Sequence, residues 1–387
     1  MITLKKNADR RIRRGGLWVF SNEIAEPEVS DLEPGRICEL RDHAGEFMGM
    51  VYANPKSLIC ARILSRRREP IDADFLEARI TQAFERRKRL FPERDFYRVV
   101  YGESDLLPGL IVDRYGDCLA AQTLTAGMDA LKDLVVEALV SAMAPSGIYW
   151  RNDSRARSLE GLNEEKAIAY GVVPDTVTVG GDPVRYVVDI PNGQKTGFFL
   201  DQESNRDLVR RLVPPDTEVL DLFSYSGAWG LRALAAGAGS VVAVDSSRGA
   251  LDLADKNARL NGFEDRLTTV RDTAVDFLKK EKKRWDVVIL DPPSFIRARS
   301  RKKDGLKGYF DVNRRAMVRM KEGGLLVTCS CSHHLDAEGF QDMLHSASRQ
   351  AGRNVRVLST GGHGPDHPVL LGMPETRYLK VIAAEVF

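Results

Sequence analysis

Cysteine is scarce in this chain. Only Cys38, Cys60, Cys118, Cys329 and Cys331 occur in 387 residues. An odd and sparse set cannot make a disulfide framework in a protein of this size, and it points to a reducing compartment. Long apolar runs are also missing. No stretch approaches eighteen uninterrupted apolar residues, and Met1-Ile-Thr-Leu-Lys-Lys lacks the basic-then-apolar layout of a signal peptide. A cytoplasmic protein with no membrane association is therefore expected. Net charge is nearly absent, at +2, so charge summed over the chain does not announce a nucleic-acid binder, and any such case rests on where the charges lie. There is no internal repeat and no low-complexity segment. What is present is globular composition, 43% hydrophobic and 29% charged, which excludes disordered and collagen-like classes and gives a prior of two or three domains.

Three regions are expected. Residues 1–71 read as a small β domain, with strands at Arg36–Asp42, Phe47–Ala53 and Leu58–Leu64 separated by His43-Ala-Gly45 and Asn54-Pro-Lys turns. Residues 72–190 read as an α+β connecting domain. Its first helix runs from about Asp74 to Phe91 with Leu76, Ile80, Ala83, Phe84 and Leu90 on one face, and a second runs from about Met128 to Met143. Residues 191–387 hold, from Val219 onward, short apolar runs alternating with helices: Glu218–Phe223, Ser240–Asp245, Leu267–Arg271, Asp286–Asp291, Leu325–Cys329, Val355–Leu358 and Tyr378–Ala384. Apolar strands spaced by helices predict a doubly wound, mostly parallel sheet, here of seven strands in a Rossmann-like α/β domain.

Ligands of such a sheet sit beyond the carboxyl ends of the strands. The first strand ends in Asp221-Leu-Phe-Ser-Tyr-Ser-Gly227-Ala-Trp-Gly230, a glycine-bearing turn without the G-x-G-x-x-G of a pyrophosphate cradle. Asp221 is placed to hold a cationic amino-acid group, with Phe223, Tyr225 and Gly227 in the turn after it. Asp245, followed by Ser246, is placed to accept from both ribose hydroxyls. Asp272 and Thr273 lie where a carboxylate can face the exocyclic amine of adenine. One Asp at a strand end would be a helix cap more often than not. All three, with Asp291 on the fourth strand, favour S-adenosylmethionine over a nicotinamide dinucleotide.

The chemistry lies at the fourth and fifth strand ends. Asp291-Pro-Pro-Ser-Phe295 is a stiffened loop that presents the Asp, and Thr328-Cys-Ser-Cys-Ser-His-His334 brings cysteines opposite it. Carbon-5 of a pyrimidine needs activation before it accepts a methyl group, and thiolate addition at carbon-6 supplies it. Cys331 is the preferred nucleophile because it clears the sheet edge. Cys329 is the rival, with a buried structural role as its plainer reading. Asp291 would hydrogen-bond the base, which must be flipped or unpaired. The Cys and His cluster has no partner pair at zinc-finger spacing, so no metal is expected. Methylation of a base nitrogen, or an RNA-binding assembly factor without catalysis, are the alternative readings.

These residues resemble a known family, the PUA-domain-containing class I methyltransferases that make 5-methylcytosine in large-subunit ribosomal RNA. The resemblance covers nearly the whole chain. It includes Gly15-Gly-Leu-Trp-Val-Phe20, Gly102-Glu-Ser-Asp-Leu-Leu-Pro-Gly-Leu-Ile-Val-Asp113 and Asn192-Gly-Gln-Lys-Thr-Gly-Phe-Phe-Leu-Asp-Gln202. It implies a PUA-like fold for the N-terminal segment, Phe199 and Gln202 in the cofactor pocket, and ribosomal RNA as partner. The oligomeric state stays open, a homodimer included. Glu203-Ser204 departs from the family, in which Arg commonly follows the Gln. Local charge fits an RNA partner: Lys5, Lys6, Arg10, Arg11, Arg13 and Arg14 face only Asp9 in residues 1–20. Arg297, Arg299, Arg301, Lys302, Lys303 and Lys307 directly follow the Asp-Pro-Pro loop, where phosphate contacts are expected. Lys279 to Lys283 read instead as a solvated helix end. Tyr309 and Phe310 are candidates for stacking on a base, with helix core the commoner fate.

Overall fold

The computed structural model describes residues 1–387. Two compact units result. The first comprises Met1–Val177, Val188–Leu200 and Pro365–Thr376, and the second Thr178–Val187, Asp201–Gly364 and Arg377–Phe387. No helix is long and apolar enough to cross a membrane.

The first unit contains a six-stranded and a five-stranded sheet. In the six-stranded sheet, Phe47–Ala53 and Ile59–Ser65 are central and largely buried. Their register with the neighbouring strand Ile37–Arg41 keeps Leu40 and Val51 in the core. The five-stranded sheet carries the helix Ala73–Leu90, capped by Asp72, whose side chain accepts from the Phe75 N–H at 3.1 Å. Leu76, Ile80 and Ala83 form its apolar stripe. Arg87, in the last turn of that helix, is fully buried, and both oxygens of Asp105 receive its guanidinium at 2.6 and 2.7 Å. The expected helix 128–143 is interrupted at Leu131, giving Ala126–Ala130 and Lys132–Met143. Residues 1–71 and 72–177 each have their own sheet yet pack together. Tyr52 donates to the Pro108 carbonyl at 2.9 Å, and Arg62 meets Glu160 at 2.8 Å with both side chains buried.

In the second unit the seven strands are β1 (Glu218–Leu222), β2 (Ser240–Asp245), β3 (Leu267–Arg271), β4 (Trp285–Leu290), β5 (Met320–Ser330), β6 (Val355–Gly361) and β7 (Lys380–Val386). Their order across the sheet is β3-β2-β1-β4-β5-β7-β6. All neighbours are parallel except β7, which runs antiparallel to both β5 and β6. Six helices accompany them: α1 (Glu203–Arg210), α2 (Ala228–Ala235), α3 (Arg248–Leu260), α4 (Ala274–Lys280), α5 (Lys302–Val318) and α6 (Ala337–Ala351). Leu220, Leu222, Val288, Leu290 and Leu326 are inaccessible or nearly so. A strand covered by helices on both faces must be apolar on both, which is why alternation was absent from these runs. Chain order reverses between β1 and β4, so the loops after them flank the crevice where an open sheet binds its ligand.

The buried Arg62–Glu160 pair makes a stability test. Burial alone would raise the Glu160 carboxyl, but Arg62 and the Asn54 amide overcome it and hold it below the ordinary range. Glu160→Ala leaves the Arg62 charge buried without its partner and is expected to cost about 3–5 kcal/mol in urea unfolding. The carboxyl is depressed on folding, so its contribution is present above roughly pH 4.3 and is lost as pH falls further. The difference between wild type and variant should therefore narrow in acid.

Candidate functional site

The turn after β1 is where the backbone departs furthest from easy geometry. Phe223 and Tyr225 have φ of 62° and 48°, and Gly227 has 75°. Two non-glycine residues in the left-handed region within three positions cost free energy and mark a functional turn. Beneath it Asp221 is fully buried. Its Oδ2 accepts the Gly230 N–H at 3.0 Å, and its Oδ1 has no partner. Gly230 allows this approach, since a Cβ there would lie 2.7 Å from Val241. Burial pushes the Asp221 carboxyl up to about 7 against the Gly230 bond, and the charges of Asp291 and Asp245 add to the rise. An unmatched carboxylate oxygen with carboxylates on two sides suits a cationic group. The buried Ser224 and Ser226 hydroxyls also lack partners.

Asp245, at the end of β2, accepts the Tyr225 N–H at 3.0 Å on one oxygen and the Ser247 N–H at 2.9 Å on the other. Each oxygen keeps a lone pair for a further donor such as a diol. Ser246 beside it is exposed. At the end of β3, Asp272 is tied to Lys280 at 2.8 Å, which holds its carboxyl below the usual range. Thr273 caps α4, its hydroxyl accepting the Asp276 N–H at 3.1 Å. The plainer capping role is thus visible for this pair, at the same edge of the sheet as Asp245. Phe199 falls in the first unit, its ring 4.3 Å from the Lys195 ammonium.

Asp291 directly follows β4 and is clamped. Its Oδ1 accepts from the Gln202 amide at 2.9 Å and its Oδ2 from the Trp229 indole at 3.0 Å. Gln202 is itself oriented by Asn205, which donates to Oε1 at 2.8 Å. Behind it, Glu203 accepts from Arg206 at 2.9 Å and also from Arg232, all of them buried. Glu203 is therefore the acceptor of an internal ion cluster rather than a surface residue.

The two cysteines occupy different environments. Cys329 lies inside β5, fully buried, and burial followed by the nearby Asp291 charge pushes its thiol well above the ordinary value. Cys331 lies one residue past the end of β5, half-buried, with Sγ 4.0 Å from the Pro292 carbonyl. Ser332 anchors this segment: its hydroxyl meets Ser294 Oγ at 2.8 Å and Tyr309 OH at 2.9 Å, and it accepts the Ile296 N–H at 3.2 Å. Tyr309 is accordingly core, fully buried, and not a stacking platform.

With this geometry in place, the comparisons with known proteins are specific. Residues 2–66 match the PUA-like domain, and residues 155–366 match the S-adenosylmethionine-dependent methyltransferase family. The chain belongs to that family. A protein of Vibrio cholerae named ribosomal RNA large subunit methyltransferase I is 38% identical over 395 residues, covering 100% of this chain and 99% of the relative. A namesake from Aliivibrio fischeri is 37% identical over 394 residues, with the same coverage. Among solved structures, a methyltransferase complexed with SAH superposes with a TM-score of 0.86 at 20% identity, over 99% of both chains. A Streptococcus mutans protein described as a SAM-dependent methyltransferase gives 0.84 at 20%, also over 99% of each chain. The expected fold class, with its N-terminal PUA-like domain and seven-stranded methyltransferase sheet, is borne out, as is S-adenosylmethionine as the cofactor. The orphaned Asp221 oxygen and the lone pairs left on Asp245 fit that group.

Several residues of this methyltransferase's site went unassigned in the sequence. Trp229 stood in the turn motif without a role. Tyr378 donates to Asp201 at 2.6 Å, and its ring lies 4.4 Å from that of His363 and 5.2 Å from that of His333. Lys380 opens β7 and reaches the Ser332 carbonyl at 2.6 Å. Its signal was a lysine directly before the apolar run Val381–Ala384. Of the two basic runs, Lys279, Lys280 and Lys283 each pair with a carboxylate. Arg297, Arg299, Lys302, Lys303 and Lys307 are exposed and make no ion pair, Arg301 alone being matched, to Asp304 at 3.1 Å.

The raised Asp221 carboxyl has a stability consequence with a definite sign. A carboxyl higher in the folded than in the unfolded state contributes stability that is fully present below roughly pH 4 and is lost as pH rises through about 7. Asp221→Asn removes this penalty, so at pH 8 the ligand-free variant should melt at or above the wild-type temperature. A lower Tm at pH 8 together with equal Tm values at pH 5 would contradict the assignment.

Proposed function

We propose that this protein is a cytoplasmic enzyme that forms 5-methylcytosine in large-subunit ribosomal RNA, or in its precursor, through a covalent adduct of Cys331 at carbon-6 of the target base. The names of the full-length relatives and the PUA-like match support the RNA class. The observation that carries the chemistry is the contrast between the two cysteines: Cys329 is sealed within β5, whereas Cys331 emerges beside the Asp291-Pro-Pro loop.

S-adenosylmethionine, when bound, supplies an electrophilic methyl group. Asp221 would hold its amino group, with Phe223, Tyr225 and Gly227 shaping the turn over it. Asp245 and Ser246 would hold the ribose, and Asp272 and Thr273 would face the adenine, with Phe199 and Gln202 completing the pocket. The Cys331 thiolate adds to carbon-6, moving the ring's electrons toward carbon-5. Asp291, fixed by Gln202 and Trp229, orients the base. After carbon-5 is methylated, a base removes its proton, the carbon–sulfur bond breaks, and the thiolate and the aromatic ring are restored. The unpaired basic side chains from Arg297 to Lys307 would track the RNA backbone beside the flipped nucleotide. Residues 1–71, 72–190 and 191–387 would serve as RNA-gripping, connecting and catalytic domains.

Cys331→Ala should lower methyl transfer to unmodified ribosomal RNA by at least about 10³-fold, the scale on which loss of a covalent nucleophile registers, and abolish a denaturation-resistant protein–RNA adduct. Cys329→Ala should keep both. Full activity in Cys331→Ala with loss only in Cys329→Ala would exchange the two roles, and a methyl group mapped to a base nitrogen would replace the reaction. For the cofactor, Asp221→Asn should weaken S-adenosylmethionine binding at least about tenfold by calorimetry, since a charge-assisted bond of about 1.5–3 kcal/mol is lost. Unchanged affinity would remove Asp221 from the pocket.

A further inference from the structure

Lys380 heads β7, whose next residues Val381, Ile382, Ala383 and Ala384 are all buried. It stands opposite Ser330 in the antiparallel ladder with β5, so its side chain leaves the sheet at the level where β5 ends and Cys331 begins. Its ammonium donates to the Ser332 carbonyl at 2.6 Å and to the Tyr378 carbonyl at 2.7 Å. The first of these belongs to the residue immediately after Cys331. A flexible, strongly hydrated cation is held half-buried by two neutral acceptors in contact with the loop that carries the thiol. Neither bond supplies a counter-charge.

We propose that Lys380 is the positioning residue for Cys331: its ammonium ties down the loop through the Ser332 carbonyl and stabilises the neighbouring sulfur as thiolate at neutral pH. The role in turnover rests on the nucleophile reading above, while the pairing itself does not. Burial lowers the Lys380 ammonium to about 8, and Cys331 is the foremost influence opposing that fall, ahead of Asp336 at the start of α6. The coupling is reciprocal: a thiolate that stabilises the ammonium is stabilised by it. The other groups facing this locus act both ways. Asp291 after β4 raises the neighbouring thiol of Cys329, as does Cys331 itself, while Arg206 of α1 lowers it. Tyr309 of α5 feels Cys331. His333 in the same loop is lowered by burial first, then by Lys380 and His334, so it adds no firm positive charge at neutral pH. Lys380 is the cation that is hydrogen-bonded to the residue next to this sulfur.

The test is the pH dependence of Cys331 alkylation by iodoacetamide in the full-length protein, followed by mass spectrometry of the Cys331 peptide. Lys380→Gln keeps a donor for the Ser332 carbonyl but loses the charge, and Lys380→Arg keeps the charge. The Gln variant should alkylate about tenfold more slowly at pH 7, with its profile displaced upward by about one pH unit, and the Arg variant should stay near wild type. Lys380→Met should match Gln. A wild-type profile in a folded Gln or Met variant overturns the proposal, as does Arg behaving like Gln. Alkylation needs no methyl transfer, so an active Cys331→Ala enzyme would sink the nucleophile reading without altering this measurement.

Discussion

A carboxylate buried with one oxygen unmatched is the constraint around which the carboxyl edge of the sheet is organised. Asp221 is held where water does not reach it, beside two further carboxylates that disfavour its charge. The backbone around it gives up ease to keep it there: two non-glycine residues take left-handed conformations, and a glycine stands where any side chain would collide with β2. Such an arrangement is poor for the empty protein and favourable for a complex with a cation. Stability is withheld locally so that binding can recover it.

The same logic separates the cysteines. They differ by two positions, and an ideal strand would point both the same way. What distinguishes them is where β5 stops. Cys329 is still within the ladder, opposite Val381 of β7, and has Asp291 close enough to oppose its ionisation. Cys331 is past the last pair, and the lysine that begins β7 holds the carbonyl of the residue after it. One strand terminus thus buries one thiol within the ladder and leaves the other half-buried beyond it.

The inner strands were legible because a strand buried on both faces writes an unbroken apolar run, whereas the edge strands β3 and β6 are largely exposed; β2 and β3 fall on the expected residues. The six-stranded sheet was only half legible: Ile2–Leu4, Trp18–Phe20 and Ile24–Glu26 are three residues each, too short for a period to show. In the site, residues sharing a strand end with a motif could be named, since chain direction alone brings strand ends together. Trp229, Tyr378, His363 and Lys380 could not, because the contacts that recruit them join segments far apart in sequence. The burial of Arg87 was out of sight for a related reason, its partner Asp105 lying across the fold. Asp272 and Thr273 show the reverse, a pair whose local capping chemistry can be read from spacing alone.

Ser332 shows how tightly the loops that follow β4 and β5 are joined. A hydroxyl has one proton and two lone pairs, and its contacts with Ser294, Tyr309 and the Ile296 N–H engage all three. The hydroxyl has nothing left to offer a nucleotide or a water molecule. The loop bearing Asp291 and the loop bearing Cys331 are therefore fastened to each other and to α5 at a single atom. With that hydroxyl saturated, the spacing between the Asp291 loop and the Cys331 loop is fixed by the protein itself.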